Sequence, residues 1–197
     1  MGRIFLLMGK STSGKDTIYK NLITDEELGL KKIVPYTTRP KRDGESDGVQ
    51  YFFRDENGYR ALKDSGKIIE ERCYHTNYGE WRYFTADDGQ IDLSCGNYLV
   101  IGTLESYCYI RDYFGAENVV PILIDVDAKI RLERAMHREE KQEFPRYDEM
   151  CRRFLADEED FSLQKLNKAG VTEMFHNNGV LEDCIGSIRQ YILDRIG

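Results

Sequence analysis

Nine residues near the amino terminus, Gly9-Lys10-Ser11-Thr12-Ser13-Gly14-Lys15-Asp16-Thr17, constrain this chain more than any other feature. They fit the pattern GxxxxGK, follow the apolar run Arg3 to Met8 (RIFLLM), and precede a stretch of helical character from about Lys15 to Leu22. Glycines in that context let the backbone turn so that successive N–H groups face one anion, and the helix start adds its positive dipole end. Lys15 supplies a mobile charge for the β- and γ-phosphates of a nucleotide, and Gly9, Ser11, Ser13, Gly14, Asp16 and Thr17 form the rest of the cradle. The pattern demands a strand, a tight loop and a helix in succession, which is how a parallel α/β sheet begins.

The rest of the chain agrees. Apolar runs recur at Tyr98–Ile101 and Val119–Ile124, with helical patterns following at Leu104–Phe114 and Ala128–Arg138. A short strand near Glu173–His176 and a helix over Val180–Ile196 are expected to close the domain. Strands alternating with helices argue an α/β fold, a parallel sheet flanked by helices. Residues 36–95 differ: VQYFF, KIIEERCY and YGEWRYF alternate like short antiparallel strands, so this stretch is expected to be a small mixed α+β insertion. The core would then comprise residues 1–35 and 96–197, and the charged run Arg138–Arg146, with Pro145, is expected to be a mobile lid over about 138–147.

Composition narrows the partners. With 28 basic and 35 acidic residues the net charge is −7, a poor match to a nucleic acid but compatible with a small anion in a local basic pocket. The five cysteines lack CxxC spacing and only three histidines accompany them, so no zinc framework is expected. Scattered reduced thiols, no leader-like apolar segment and no run long enough to cross a membrane point to a cytoplasmic protein. Oligomeric state is not legible.

One position departs from the usual loop. Where Ser or Thr normally follows the lysine to bind Mg²⁺, this chain has Asp16, then Thr17. A carboxylate is also a hard oxygen ligand, so Asp16 is a candidate metal ligand, and a first-turn helix residue is the alternative.

A second anion site is suggested by Tyr36–Phe53 (YTTRPKRDGESDGVQYFF), where Arg39 and Arg42 sit in a Pro-containing segment and Tyr51 follows. Arginine forks suit bidentate phosphate binding, and a tyrosine hydroxyl adds a donor. A solvated basic turn is the plain alternative, but beside a phosphate-binding loop the pair suits an acceptor phosphate.

At this point the chain resembles the guanylate kinases. Their TTRxPR…GExxGxxYxF is echoed by Thr37-Thr38-Arg39-Pro40-Lys41-Arg42, Gly44-Glu45, Gly48, Tyr51 and Phe53; their FIE…NxYG by Ile68-Ile69-Glu70 and Asn77-Tyr78-Gly79; their RLxxR by Arg131–Arg138. The resemblance implies a P-loop NTPase fold and ATP:GMP or ATP:dGMP phosphotransfer with Mg²⁺. It implies that Arg39, Arg42, Tyr51 and Tyr78 hold the acceptor phosphate and that Glu70 reads guanine. Arg134 and Arg138 would reach the ATP phosphates from the lid, Arg153 would join them from the next helix, and Asn177 would lie near adenine. Small-molecule substrates are the implied partners.

The resemblance breaks in three places. Pro35 and Tyr36 stand where the family offers serines, Glu70 to Tyr78 is about one residue short, and an acidic strand end becomes Gly102-Thr103-Leu104-Glu105, leaving Thr103 or Glu105 as substitutes. A kinase for another nucleotide or small phosphorylated acceptor therefore stays open. So does a non-catalytic binding domain, although Lys15 is present.

Overall fold

The computed structural model describes residues 1–76 and 79–196. Strand β1 (Ile4–Gly9) is buried at every position. It lies between β7 (Tyr98–Ile101) and β8 (Val119–Asp125), parallel to both. With β2 (Lys31–Lys32) and β9 (Met174–His176) they form a five-stranded parallel sheet of order β2-β7-β1-β8-β9.

Strand alternation sends side chains to opposite faces. Ile4, Leu6 and Met8 pack on one face with Leu104, Tyr107 and Ile110 of α3 (Leu104–Phe114) and Leu166 of α6 (Leu163–Ala169). Phe5 and Leu7 pack on the other with Ile18 and Leu22 of α1 (Lys15–Ile23) and Ile188 and Ile192 of α7 (Leu181–Ile196). The alternation of strand and helix read from sequence is thus a doubly covered parallel sheet.

Residues 36–86 build a second sheet of order β4-β3-β6-β5, from β3 (Tyr36–Thr37), β4 (Phe52–Phe53), β5 (Ile68–Thr76) and β6 (Gly79–Ala86). Helix α2 (Glu56–Asp64) starts at Asp55, whose carboxylate accepts the Gly58 N–H. Its Tyr59 packs with Tyr36, Phe84 and Ala86 on one face of this sheet. Tyr36 is therefore a core residue: its ring stacks on Phe84 at 5.2 Å and its hydroxyl donates to Asp88 at 2.5 Å.

The segment expected to be a lid is more helical than its composition suggests. Helix α4 runs Ala128–Glu140 and α5 runs Tyr147–Asp160, leaving only 141–146 between them. Glu139 is buried, and its carboxylate accepts the Arg146 N–H at 2.6 Å and the Gln142 side chain at 3.0 Å. The helix end is thus tied to the segment that leaves it.

Candidate active site

The GxxxxGK segment joins β1 to α1 as a tight loop. Gly14 caps α1 with φ +90°, a left-handed conformation that side chains rarely adopt. A Cβ there would lie 2.6 Å from Nδ2 of Asn177, so glycine is required twice over. Thr12 also has positive φ, 62°, alone among described non-glycine residues. Its hydroxyl is shared between the carbonyls of Ser11 (2.6 Å) and Arg131 (2.8 Å), which holds this strained residue in place.

Lys15 is half-buried and makes no hydrogen bond or ion pair among the described residues. Asp16 and Thr17 are exposed in the first turn of α1, and Asp16 carries no partner among those residues. Gly9 ends β1, and the Oγ of buried Ser13 has no hydrogen-bond partner among the described residues. Asn177 donates from Nδ2 to the Ser13 carbonyl at 2.8 Å, which joins the end of β9 to the loop. Arg134 donates to the carbonyls of Asn177 (3.0 Å) and Thr12 (3.5 Å), so it clamps the shoulder of the loop.

Sequence reasoning passed over three residues here. The Ser11 N–H donates to the Asp157 carboxylate at 2.6 Å, and Lys10 pairs with Glu158 at 2.6 Å. Both acids come from α5, and Arg131, 1% exposed, sits behind them, bonded to Glu158 and 3.9 Å from Asp157. Arg138 is exposed on the last turn of α4. Arg153, also exposed, shares Glu149 with Arg152, and both arginines hold the Glu149 carboxyl at about 2.

The second sheet gathers the other expected residues on the face opposite α2. Arg39, 4% exposed, is gripped by both oxygens of Glu45 at 3.0 and 2.8 Å and lies 5.6 Å from the Tyr51 and Phe53 rings. The Arg39 bond, with help from the Arg42 N–H, lowers the Glu45 carboxyl to about 2. The Arg42 side chain is exposed. Tyr51 packs edge-on against Tyr83, with ring centroids 5.6 Å apart. Glu70, 4% exposed, accepts from Thr85 at 2.9 Å and Arg72 at 3.2 Å. Arg72, Tyr83 and Thr85 were not singled out from sequence: strand alternation hints at them, but only the register places them here. Tyr78 lies outside the described residues.

Thr103 caps α3, accepting the Ser106 N–H at 3.2 Å, so its hydroxyl already serves a helix end. Glu105 is exposed in that first turn. At Gly102, where the family has a carboxylate, a Cβ would lie 3.2 Å from Leu6 and 3.3 Å from Ser106, so a side chain there would need those neighbours to shift slightly. On the α2 side of the second sheet, Cys73, His75 and Glu80 bring ligand atoms within 4.8 Å of one another, all exposed. Glu80 is there already shared by His75 (3.2 Å) and Arg82 (3.0 Å).

Residues 1–83 match the family model described as guanylate kinase. The guanylate kinase of Enterococcus faecalis is 36% identical over 77 residues, covering 39% of this chain and 38% of that protein. That of Oceanobacillus iheyensis is 39% identical over 77 residues, covering 39% of this chain and 37% of that protein. The chain's match thus spans under two fifths of the length of these curated relatives. The crystal structure of guanylate kinase from Anaplasma phagocytophilum aligns with a TM-score of 0.62 at 21% identity, covering 99% of this chain and 86% of that one, which shows the fold to be of the P-loop NTPase type. The first 83 residues are thus similar in sequence to the guanylate kinases, and the whole chain shares their fold.

Proposed function

We propose that this protein transfers the γ-phosphoryl group of ATP to GMP or dGMP, with Mg²⁺. The observation that carries the reading is the shared face of the second sheet. It offers a buried carboxylate, Glu70, for the N1–H and N2–H₂ edge of guanine, and on the same face Arg39 and Tyr51 for a phosphate. The half-buried Lys15, without a hydrogen-bond or ion-pair partner among the described residues, supports its role on the transferred phosphate. Arg42 would join the acceptor phosphate; Tyr78 is assigned there by resemblance alone. Arg138 and Arg153 would close with the lid onto the developing charge, while Arg134, Asn177 and the loop hold ATP.

Asp16 and Thr17 fit a hard cation, since Asp16 is a carboxylate with no partner among the described residues, one residue after the phosphate lysine. Bound there, Mg²⁺ would neutralise charge between the phosphates. The protein's own part is positioning: in-line transfer needs two substrates held together and water kept out. Among the described residues no helix is long and apolar enough to cross a membrane, and the cysteines are free, which supports placement in the reducing cytoplasm. The net charge of −7 argues against a nucleic-acid partner.

A second reading, a kinase for a different nucleotide, is favoured by Gly102, which stands where the family has a carboxylate and has tight surroundings for a side chain. A coupled ADP-release assay across the common nucleoside monophosphates separates the two. GMP and dGMP are expected to lead, and a lack of preference for GMP over AMP would transfer the assignment to the second reading. No ADP release with any of them, while nucleotides still bind, would identify a binding domain instead.

A further inference from the structure

Among the described residues, the buried base-reading carboxylate has a cationic neighbour that the nucleotide-kinase reading does not use. Strand alternation puts Glu70 and Arg72 of β5 on one face, opposite Thr85 and Tyr83 of β6 in the register Glu70↔Thr85 and Arg72↔Tyr83. Tyr51 lies against Tyr83 on that face. Burial raises the Tyr51 hydroxyl above the usual tyrosine range, and the Arg72 charge is among those that oppose the rise. Arg72 thus stands between the carboxylate expected to read the base and the residues expected to hold the phosphate.

Its geometry leaves it free to bind. Nε of Arg72 donates to Oε2 of Glu70 at 3.2 Å, and the side chain is 19% exposed. Its two terminal NH₂ groups have no hydrogen-bond partner among the described residues. Glu70 keeps acceptor capacity too, because Thr85 and Arg72 each engage a different oxygen and a carboxylate has about four lone-pair sites.

Guanine presents donor, donor, acceptor along one edge: N2–H₂, N1–H and O6. A carboxylate alone satisfies the two donors and leaves O6 facing a negative group. A guanidinium beside that carboxylate places a donor where O6 falls. Adenine reverses the pattern, with an acceptor at N1 and a donor at N6. We infer that Arg72 is a specificity-determining residue of the acceptor site, donating from its terminal NH₂ groups to guanine O6 while Glu70 accepts from N1–H and N2–H₂. The inference rests on the proposed nucleotide-kinase reading. It also fits the glycine at position 102: a carboxylate absent from the core sheet is offset by a base reader on the second sheet.

Ligand atoms separate this role from mere support of Glu70. IMP keeps O6 and N1–H and lacks N2–H₂; 6-thio-GMP keeps both donors and replaces O6 by a poor acceptor. Arg72→Ala is expected to raise KM for GMP and IMP alike, by roughly tenfold or more, with KM for ATP unchanged. Wild type should use 6-thio-GMP about tenfold less well than GMP, and Arg72→Ala should lose most of that discrimination. Arg72→Gln, which retains one NH₂ donor, should recover part of it, and it carries the test if the alanine variant unfolds. Unchanged KM for GMP and IMP in an Arg72→Ala enzyme that folds would overturn the inference. So would a loss for GMP that exceeds the loss for IMP, which would mean Arg72 only positions Glu70. Both outcomes leave the kinase reading standing, provided wild type prefers GMP to AMP; if it does not, that reading and the Arg72 inference fall together.

Discussion

The carboxylate of Asp157 accepts the backbone N–H of Ser11 at 2.6 Å, so an acid from α5 sits on the loop that is expected to cradle phosphate. Glu158 occupies Lys10 beside it, and Arg131 backs both. An anion that enters the loop at Ser11 must displace a protein anion first. Asp157→Asn, a weaker acceptor without charge, is therefore expected to tighten ATP binding by about three- to tenfold, since its competitor is worth a charge-assisted hydrogen bond. Titration calorimetry with ATP checks this, and weaker binding would show that Asp157 supports the loop instead of competing for it.

Lys15 makes no hydrogen bond or ion pair among the described residues that its removal would break. Lys15→Ala should abolish ADP release with the melting temperature unchanged. Near-normal turnover would remove Lys15 from the transfer step, and a fall in melting temperature would reveal a role in the fold.

Arg39 and Arg42 should separate in their effects. Both variants to Ala are expected to weaken the acceptor by roughly one to two decades and leave ATP alone. Arg39 is also buried and holds both oxygens of Glu45, so Arg39→Ala should cost about 2–3 kcal/mol of stability as well. Arg42, with an exposed side chain, should cost nothing measurable. Chemical denaturation beside acceptor KM tests the split, and equal destabilisation by both would refute it.

Glu45 should contribute to acid sensitivity. Its bond to Arg39 holds the carboxyl at about 2, below the ordinary 4.5. A depressed pKa means stability that is fully present above pH 4.5 and lost as pH falls towards 2. The stability gap between wild type and Glu45→Gln should accordingly shrink over that window in acid-unfolding curves. A gap constant from pH 5 down to about 2.5 would show that the ion pair does not couple to folding.

The local geometry of the segments around the candidate site was legible because it depends on neighbouring residues. The GxxxxGK loop with its Lys15 and the Arg39–Arg42 segment each depend on contiguous residues, and short spacing alone fixes which groups can converge. The strand Tyr98–Ile101 and the helix Leu104–Phe114 were legible for the same reason: an apolar run, then Thr103 with Ser106 three residues on, start and stop themselves. Contacts between distant segments were not legible. Asp157 reaches Ser11 across 146 residues, and nothing near either one announces the other. Thr103, expected at the acceptor, is engaged in capping a helix, and Gly102 is hemmed in by Leu6, which belongs to a neighbouring strand. Glu70 and Arg72 were visible as alternate residues of one strand, but only pairing with Thr85 and Tyr83 set their face against Tyr51. Sequence determined the local chemistry, since backbone geometry and side-chain reach act over a few residues. Tertiary structure decided which charges meet, because that depends on strand register and helix packing, which are settled by burying the whole apolar core at once.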